Sequence, residues 1–241
     1  MSNKIEQLQK QLGDSQKIVF FGGAGVSTES GIPDFRSSEG LYMKESGTHI
    51  PAEQMISHTF YKRYPKEFFK YYFENLVFEE AEPNEAHIFL KELEDQGKEV
   101  SIVTQNIDGL HQKAGSSVVH ELHGSVLRNY CTACQLHYEI DELELDEDGI
   151  PRCPQDGAIV RPDIVLYEEG LDQQVIQDAI EDIQNADMLM IAGTSLIVYP
   201  AAGLINYFQG EHLVAINKSA IRVPEGTLMF ENSISNVFSK L

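Results

Sequence analysis

Ile5, Leu8 and Leu12 recur at helical spacing and predict a short helix at the start of the chain. The rhythm then changes. Lys17-Ile18-Val19-Phe20-Phe21 is a near-continuous apolar run, the pattern of a strand buried on both faces. Gly22-Gly23-Ala24-Gly25 follows as a turn, and a helix is expected after it. Residues 37–80 are rich in aromatics and carry helical stretches such as Pro65 to Tyr72. Ala86, Phe89, Leu90 and Leu93 form the apolar face of a further helix, with Pro83 expected in its first turn and Gly97 at its end. Glu99 to Thr104 and Val118 to Leu122 predict two more strands.

Residues 125–160 interrupt this pattern: they are polar, bear cysteines and contain an acidic run from Asp141 to Asp148. Alternation then resumes. Val175, Ile176, Ala179, Ile180 and Ile183 mark an amphipathic helix, and Asp187 to Ala192 a strand running into Gly193-Thr194-Ser195. Pro200 to Phe208 is expected to be helical and His212 to Asn217 a strand, with a short strand and a helix closing the chain. Strands alternating with helices imply an α/β fold, a Rossmann-like parallel sheet with helices on both faces. The expected division is a large part of approximately 1–36, 81–124 and 161–241 and a small inserted part of approximately 37–80 and 125–160.

The length of 241 residues suits one compact domain carrying such an insert, and a hydrophobic share of 42% supports a core. No stretch approaches the roughly 20 apolar residues of a membrane span, and the first residues lack the apolar run of a signal peptide. A cytoplasmic monomer is expected. The net charge of −20 repels phosphate backbones, so direct nucleic-acid binding is not expected. The same charge attracts lysine-rich protein segments, although its plainer use is solubility. Three cysteines form no disulfide framework, and the Cys131/Cys134 spacing with Cys153 further on points to metal.

The candidate chemistry begins at Gly23-Ala24-Gly25-Val26-Ser27-Thr28. Glycine lets a backbone approach a pyrophosphate closely, but Thr28 occupies the place of the third glycine in the usual dinucleotide fingerprint. More specific blocks follow: Gly31-Ile32-Pro33-Asp34-Phe35-Arg36, Thr104-Gln105-Asn106-Ile107-Asp108-Gly109-Leu110-His111, His120-Glu121-Leu122-His123-Gly124, Gly193-Thr194-Ser195-Leu196 and Val214-Ala215-Ile216-Asn217. In these blocks and their order the chain resembles the sirtuin family of NAD-dependent protein deacylases, bacterial type.

The resemblance implies a cofactor site. Gly23, Ala24, Gly25, Thr28, Phe35 and Arg36 would face the dinucleotide, with Phe35 shielding the nicotinamide ribose and Arg36 offsetting phosphate charge. Gln105, Asn106, Ile107 and Asp108 would surround the nicotinamide, although Asn106 and Asp108 also suit the start of a helix near Ile107. Gly193, Thr194, Ser195, Asn217 and Ile234 would hold the adenosine half.

The resemblance makes His123 the catalytic base, with Asn106 and Asp108 as its partners in catalysis. An imidazole's ordinary pKa near 6.5 suits proton abstraction at neutral pH. His111 and His120 are its local competitors. The implied products are nicotinamide, O-acyl-ADP-ribose and free lysine, from acyl-lysine protein or peptide substrates. Alternatives are mono-ADP-ribosyl transfer by the same NAD cleavage and a non-catalytic NAD or ADP-ribose sensor. An ordinary dehydrogenase is disfavoured by the incomplete glycine fingerprint.

Cys131, Cys134, Cys153 and Asp156 match the spacing of a structural zinc ribbon, with Asp156 where the sirtuin pattern has cysteine and His137 as a substitute ligand. Val165, Leu166, Tyr167 and Glu168 correspond to the family's peptide-pairing segment, and Glu168 stands at a position that is usually glycine. The segment Phe68 to Phe78 offers Tyr71 and Tyr72 but Glu74 and Asn75 where acidic-acyl sirtuins carry arginine, so neutral acyl groups, acetyl first, are expected.

Overall fold

The computed structural model describes residues 2–35, 40–41 and 50–241. Helix α1, Ser2–Asp14, buries Ile5, Leu8 and Leu12 as their spacing requires. Strand β1, Lys17–Gly22, follows. The helix expected after the glycine turn is instead two single 3-10 turns, Ala24–Val26 and Thr28–Ser30. Glycines at 23 and 25 disfavour α-helix, and Gly31, at φ +85°, ends the second turn two residues before Pro33. Three helices come next: α2 at Ala52–Met55, α3 at His58–Arg63 and α4 at Pro65–Asn75. Helix α5, Glu85–Asp95, is capped by Asn84, so Pro83 stands before the cap and not in the first turn.

Strand β2 (Glu99–Thr104), helix α6 (Leu110–Lys113) and strand β3 (Val118–Glu121) lead into three strands of a second sheet: β4 at Gly124–Cys131, β5 at His137–Glu139 and β6 at Val160–Ile164. Helix α7 (Gln173–Asn185), strand β7 (Met188–Ala192), strand β8 (His212–Asn217), strand β9 (Leu228–Glu231) and helix α8 (Ile234–Phe238) complete the chain. The stretch Ala201–Tyr207, expected as helix, is 3-10. No helix among the described residues is long and apolar enough to cross a membrane.

The large sheet is wholly parallel, in the order β3-β2-β1-β7-β8-β9. Alternation along β1 sorts its core. Ile18 and Phe20 join α1, α5 and α8 on one face, while Val19 and Phe21 meet α7 and the Ala201–Tyr207 segment on the other. The fold is therefore the doubly wound α/β arrangement that the alternating pattern implies. The strand order reverses between β1 and β7, and in such sheets the crevice at that point, beyond the strands' carboxyl ends, is where ligands bind.

The smaller sheet is antiparallel, in the order β5-β4-β6. Its Val126 and Ile164 pack under an aromatic layer from α3 and α4 that includes Phe60, Tyr61, Phe68, Phe69 and Tyr72. Phe68, Phe69 and Tyr72 are fully buried, each contributing roughly 2–3 kcal/mol of burial.

Candidate active site

The reversal point is built by backbone touching backbone. Gly25 N–H donates to Gly193 O at 2.8 Å, and Gly23 N–H to Ala192 O at 3.2 Å. Gly193 has φ +59°, and a Cβ there would lie 2.5 Å from Val26 N. Glycine is required at this position for conformation and for space. Above the turn lies a cavity of about 690 Å³. That volume falls within the range of small-molecule sites, roughly 300–1,000 Å³.

Each element brings its expected residues to this cavity. Gly23, Ala24, Gly25, Thr28 and Phe35 come from the turns after β1, and Gln105, Asn106, Ile107 and Asp108 from the end of β2. Gly193, Thr194 and Ser195 follow β7, Asn217 ends β8, and Ile234 opens α8. His123 and Val165 to Glu168 line it too. Arg36 lies outside the described residues. Lys218 is the only lysine or arginine among the described residues lining the cavity.

Three side chains from two loops lock together at its floor. Asn106 Nδ2 donates to Ser27 Oγ at 3.0 Å, and Ser27 Oγ–H donates to Asp108 Oδ2 at 2.7 Å. Asp108 Oδ1 accepts Leu110 N–H at 3.0 Å, so Asp108 also caps α6, which begins later than the helix expected near Ile107. Gln105 Nε2 donates to Thr194 Oγ1 at 3.1 Å, tying the β2 loop to the β7 loop. Asn84 adds a brace that the motifs did not reveal: Nδ2 donates to Val26 O at 2.8 Å and Ser30 Oγ at 3.0 Å. Its only sequence signal is that of a helix cap. Ser27 was visible within the glycine motif but without a role.

His123 is set apart from its competitors by environment. His111 is buried against Phe20 and His87, with ring centroids at 5.9 and 4.6 Å. His120 Nε2 meets Asp182 Oδ2 at 2.7 Å, an ion-pair position against α7. His123 alone of the three lines the cavity. Its Nδ1 is 2.9 Å from Gln105 O, and a carbonyl only accepts, so Nδ1 carries the proton and donates. Nε2 is therefore the lone-pair nitrogen. Burial lowers the His123 pKa, and the hydrogen bond to Gln105 O offsets this only in part. The ring is neutral at pH 7, the form a general base needs.

The peptide-pairing candidate is held from below. Glu169 accepts from Arg161 Nη1 at 2.8 Å and Nη2 at 3.0 Å, from Leu166 N–H at 2.9 Å, and contacts His58 Nδ1 at 2.7 Å. Burial opposes the Glu169 charge, but these partners outweigh it and hold the carboxyl down at about 2. Tyr167 bridges to Ser57 as in a parallel pair, with Tyr167 N–H donating to Ile56 O and His58 N–H to Tyr167 O. Glu168 has φ +76°, which explains physically why glycine suits this position elsewhere.

The cysteine cluster forms a separate site at the far end of β4. One ligand atom each from Cys131, Cys134, Cys153 and Asp156 lies within 4.8 Å of the others. Tetrahedral zinc with Zn–S of about 2.3 Å and Zn–O of about 2.0 Å requires S···S of about 3.8 Å and S···O of about 3.5 Å. Cys134 and Cys153 sulfurs are 3.7 Å apart, and Cys131 Sγ is 3.5 Å from both Asp156 oxygens. Ala133 N–H donates to Cys131 Sγ, and Tyr138 Oη lies within hydrogen-bond distance of Cys153 Sγ, 3.2 Å away. These residues fit a structural zinc ion. His137, the substitute ligand, lies outside the group on exposed β5.

Comparison with known proteins identifies relatives of the whole chain. The Sir2 family model matches residues 23–200. A protein of Clostridium perfringens named NAD-dependent protein deacetylase is 54% identical, covering 100% of this chain and 99% of its own. A protein of the same name from Staphylococcus aureus is 40% identical with the same coverage. Among solved structures, a Sir2 with a p53 peptide and NAD+ superposes with a TM-score of 0.84 at 32% identity, over 98% of this chain and 96% of that one. A Sir2 bound to an acetylated peptide gives 0.84 at 31% identity and the same coverage.

Proposed function

We infer how the cleft works from one premise: the chain belongs to the Sir2 family. It is an NAD-dependent protein-lysine deacetylase that forms nicotinamide, O-acyl-ADP-ribose and free lysine. NAD supplies the ribose that receives the acyl group and the glycosidic bond that is given up. The remaining tasks fall to this chain's residues.

In this reading His123 accepts a ribose hydroxyl proton at Nε2, while Nδ1–H stays on Gln105 O and fixes the ring's direction. Asn106 and Asp108, tied through Ser27, receive the carboxamide end of nicotinamide and hold it in one orientation. The close glycine packing at Gly23, Gly25 and Gly193 admits the pyrophosphate, with Ala24 and Thr28 beside it. Phe35 and Ile107 exclude water from the ribose. Thr194, Ser195, Asn217 and Ile234 take the adenosine half. Val165 to Glu168 present the substrate peptide. Cys131, Cys134, Cys153 and Asp156 would hold a zinc ion, which would supply a cross-link to the small sheet and no chemistry.

The same reading assigns dinucleotide binding to residues 1–36, 81–124 and 161–241 and treats 37–80 and 125–160 as the inserted part. Free cysteines suit the reducing cytoplasm, where we place the protein. Acyl choice follows from charge: α4 offers Asn75 to the cavity and no cation, so a succinyl carboxylate has no partner there and acetyl is favoured.

The observation that carries this reading is one cavity lined at once by the glycine turn, the peptide segment and a neutral imidazole held by Gln105 O. The decisive experiment incubates the protein with NAD and acetyl- or succinyl-lysine peptides and identifies products by mass spectrometry. Peptide-dependent nicotinamide release with O-acetyl-ADP-ribose is expected. Label transferred to protein, or no turnover, would instead favour ADP-ribosyl transfer or a silent sensor.

A further inference from the structure

A second cavity of about 550 Å³ adjoins the catalytic cleft and shares Tyr167, Glu168, Val198 and Tyr199 with it. Its other walls are Pro51, Glu53, Gln54, Ser57 and Ile197. Two carboxylates, Glu53 and Glu168, line it, and among the described residues no lysine or arginine does. Beside the carboxylates lies an apolar shelf: Ile197 and Tyr199 are 63% and 72% exposed. An apolar surface ending at a carboxylate matches a long aliphatic side chain with a cationic head.

Glu168 is fixed in this wall. Its Oε2 accepts Thr59 N–H at 2.8 Å. That hydrogen bond, with the Arg63 guanidinium nearby, lowers the carboxyl's pKa from its ordinary value. His58 is engaged with Glu169, and Glu169 with Arg161. Glu168 also holds φ +76°, a conformation that a residue with a Cβ adopts only against a steric penalty. A side chain kept in such a conformation on a binding segment is a candidate for function.

We propose that this groove receives a lysine or arginine flanking the acyl-lysine, and that Glu168 is the residue that selects it. The inference rests on the deacetylase reading and refines its substrate class. The groove is continuous with the peptide segment, so a neighbouring side chain reaches it without leaving the cleft. The acidic surface, at net charge −20, adds long-range attraction for the same basic peptides.

The test scans acetyl-lysine peptides with Arg, Gln or Glu at each of the two positions on either side of the acetyl-lysine. The readout is the Arg-to-Glu ratio of kcat/KM within one enzyme form, which cancels any general loss of rate. Wild type should favour Arg roughly tenfold at one position or more, since attraction replaces repulsion, and less at high salt. Glu168→Gln, which still accepts from Thr59 N–H, should reduce that ratio to twofold or less at the same position. Glu168→Gly, free of backbone strain, should do the same and serves if the glutamine variant folds poorly. Turnover with a ratio near one at all four positions in wild type, or an undiminished ratio in both variants, overturns the inference while leaving the deacetylase reading intact. No nicotinamide release from any peptide removes both.

Discussion

The crevice at the end of β1 and the cysteine cluster at the end of β4 are held in opposite ways. Around the crevice the strands are buried on both faces, and Phe20, Phe21, Met190 and Ile191 have no exposed surface. Backbone packs on backbone there, through Gly25 and Gly193. The cluster region owns only Cys131, Cys153 and Val160 as buried members, with Tyr138, Leu143 and Ala158 beside them. That is too little apolar surface to fix a geometry. The difference teaches that the described part of the crevice is held by the polypeptide's own packing, whereas the cysteine cluster would rely on a bound ion for order.

Removing the metal should have the largest effect, because zinc binding in small ribbons amounts to folding energy on the order of 10 kcal/mol. Purified protein should carry about one zinc per chain, measured by elemental analysis. After chelation, limited proteolysis should cut within residues 131–160 and leave the large sheet protected. An unchanged cleavage pattern after verified metal loss would break the comparison.

His123→Ala should act in the reverse sense, on rate and not on order. The expected loss in kcat is about 10²- to 10⁴-fold, the usual range for a positioned base. NAD affinity by calorimetry and the melting temperature should stay near wild type, since the pocket's packing is carried by other residues. Deacetylation at wild-type rate would remove His123 from its role.

A pair of glycine substitutions sharpens the contrast. Gly193→Ala meets both a positive φ and Val26 N, and should destabilise by roughly 2–4 kcal/mol and abolish NAD binding. Gly157→Ala, in the cluster region, meets φ +74° but nothing within 4 Å, so only about 1 kcal/mol is expected. Equal losses in denaturant melts would mean that the crevice is no more tightly built than the cluster.

Most of the crevice was legible because its information is local. Gly23, Gly193 and Asn217 each follow a run of apolar residues that reads as a strand, and strand ends of a parallel sheet converge. What was hidden depends on contacts distant in sequence. Ser27 meets Asp108 across 81 positions and Asn84 braces Val26 across 58, and neither leaves a periodic trace. The 3-10 turns after β1 were misread as helix because strand, glycine and helix is the common order, while Gly31 and Pro33 shorten it here. Asp156 was legible as a candidate by spacing alone, but only the 3.5 Å approach to Cys131 places it in the ligand group ahead of His137.

The smallest effect concerns acid, and it tests a buried histidine pair packed against β1 outside the cavity lining. The His87 and His111 rings lie tilted against each other with centroids 4.6 Å apart, and both are pushed toward the neutral form by burial, His87 to about 4 and His111 well below its ordinary value. In the unfolded chain both titrate near 6.5. The unfolded state therefore binds more protons below that pH, so stability is full above about 6.5 and falls as pH drops toward 4. Nε2 of His87 and both nitrogens of His111 have no hydrogen-bond partner among the described residues. His111→Phe deletes two of those unpaired atoms and one titrating group while keeping a ring against Phe20. Its melting temperature should match or exceed wild type at pH 7.5 and decline less between pH 6.5 and 5. Both proteins are compared with zinc in excess, so that acid release of the metal affects them alike. A variant that loses stability as steeply as wild type would show that this pair is not what makes the fold acid-sensitive.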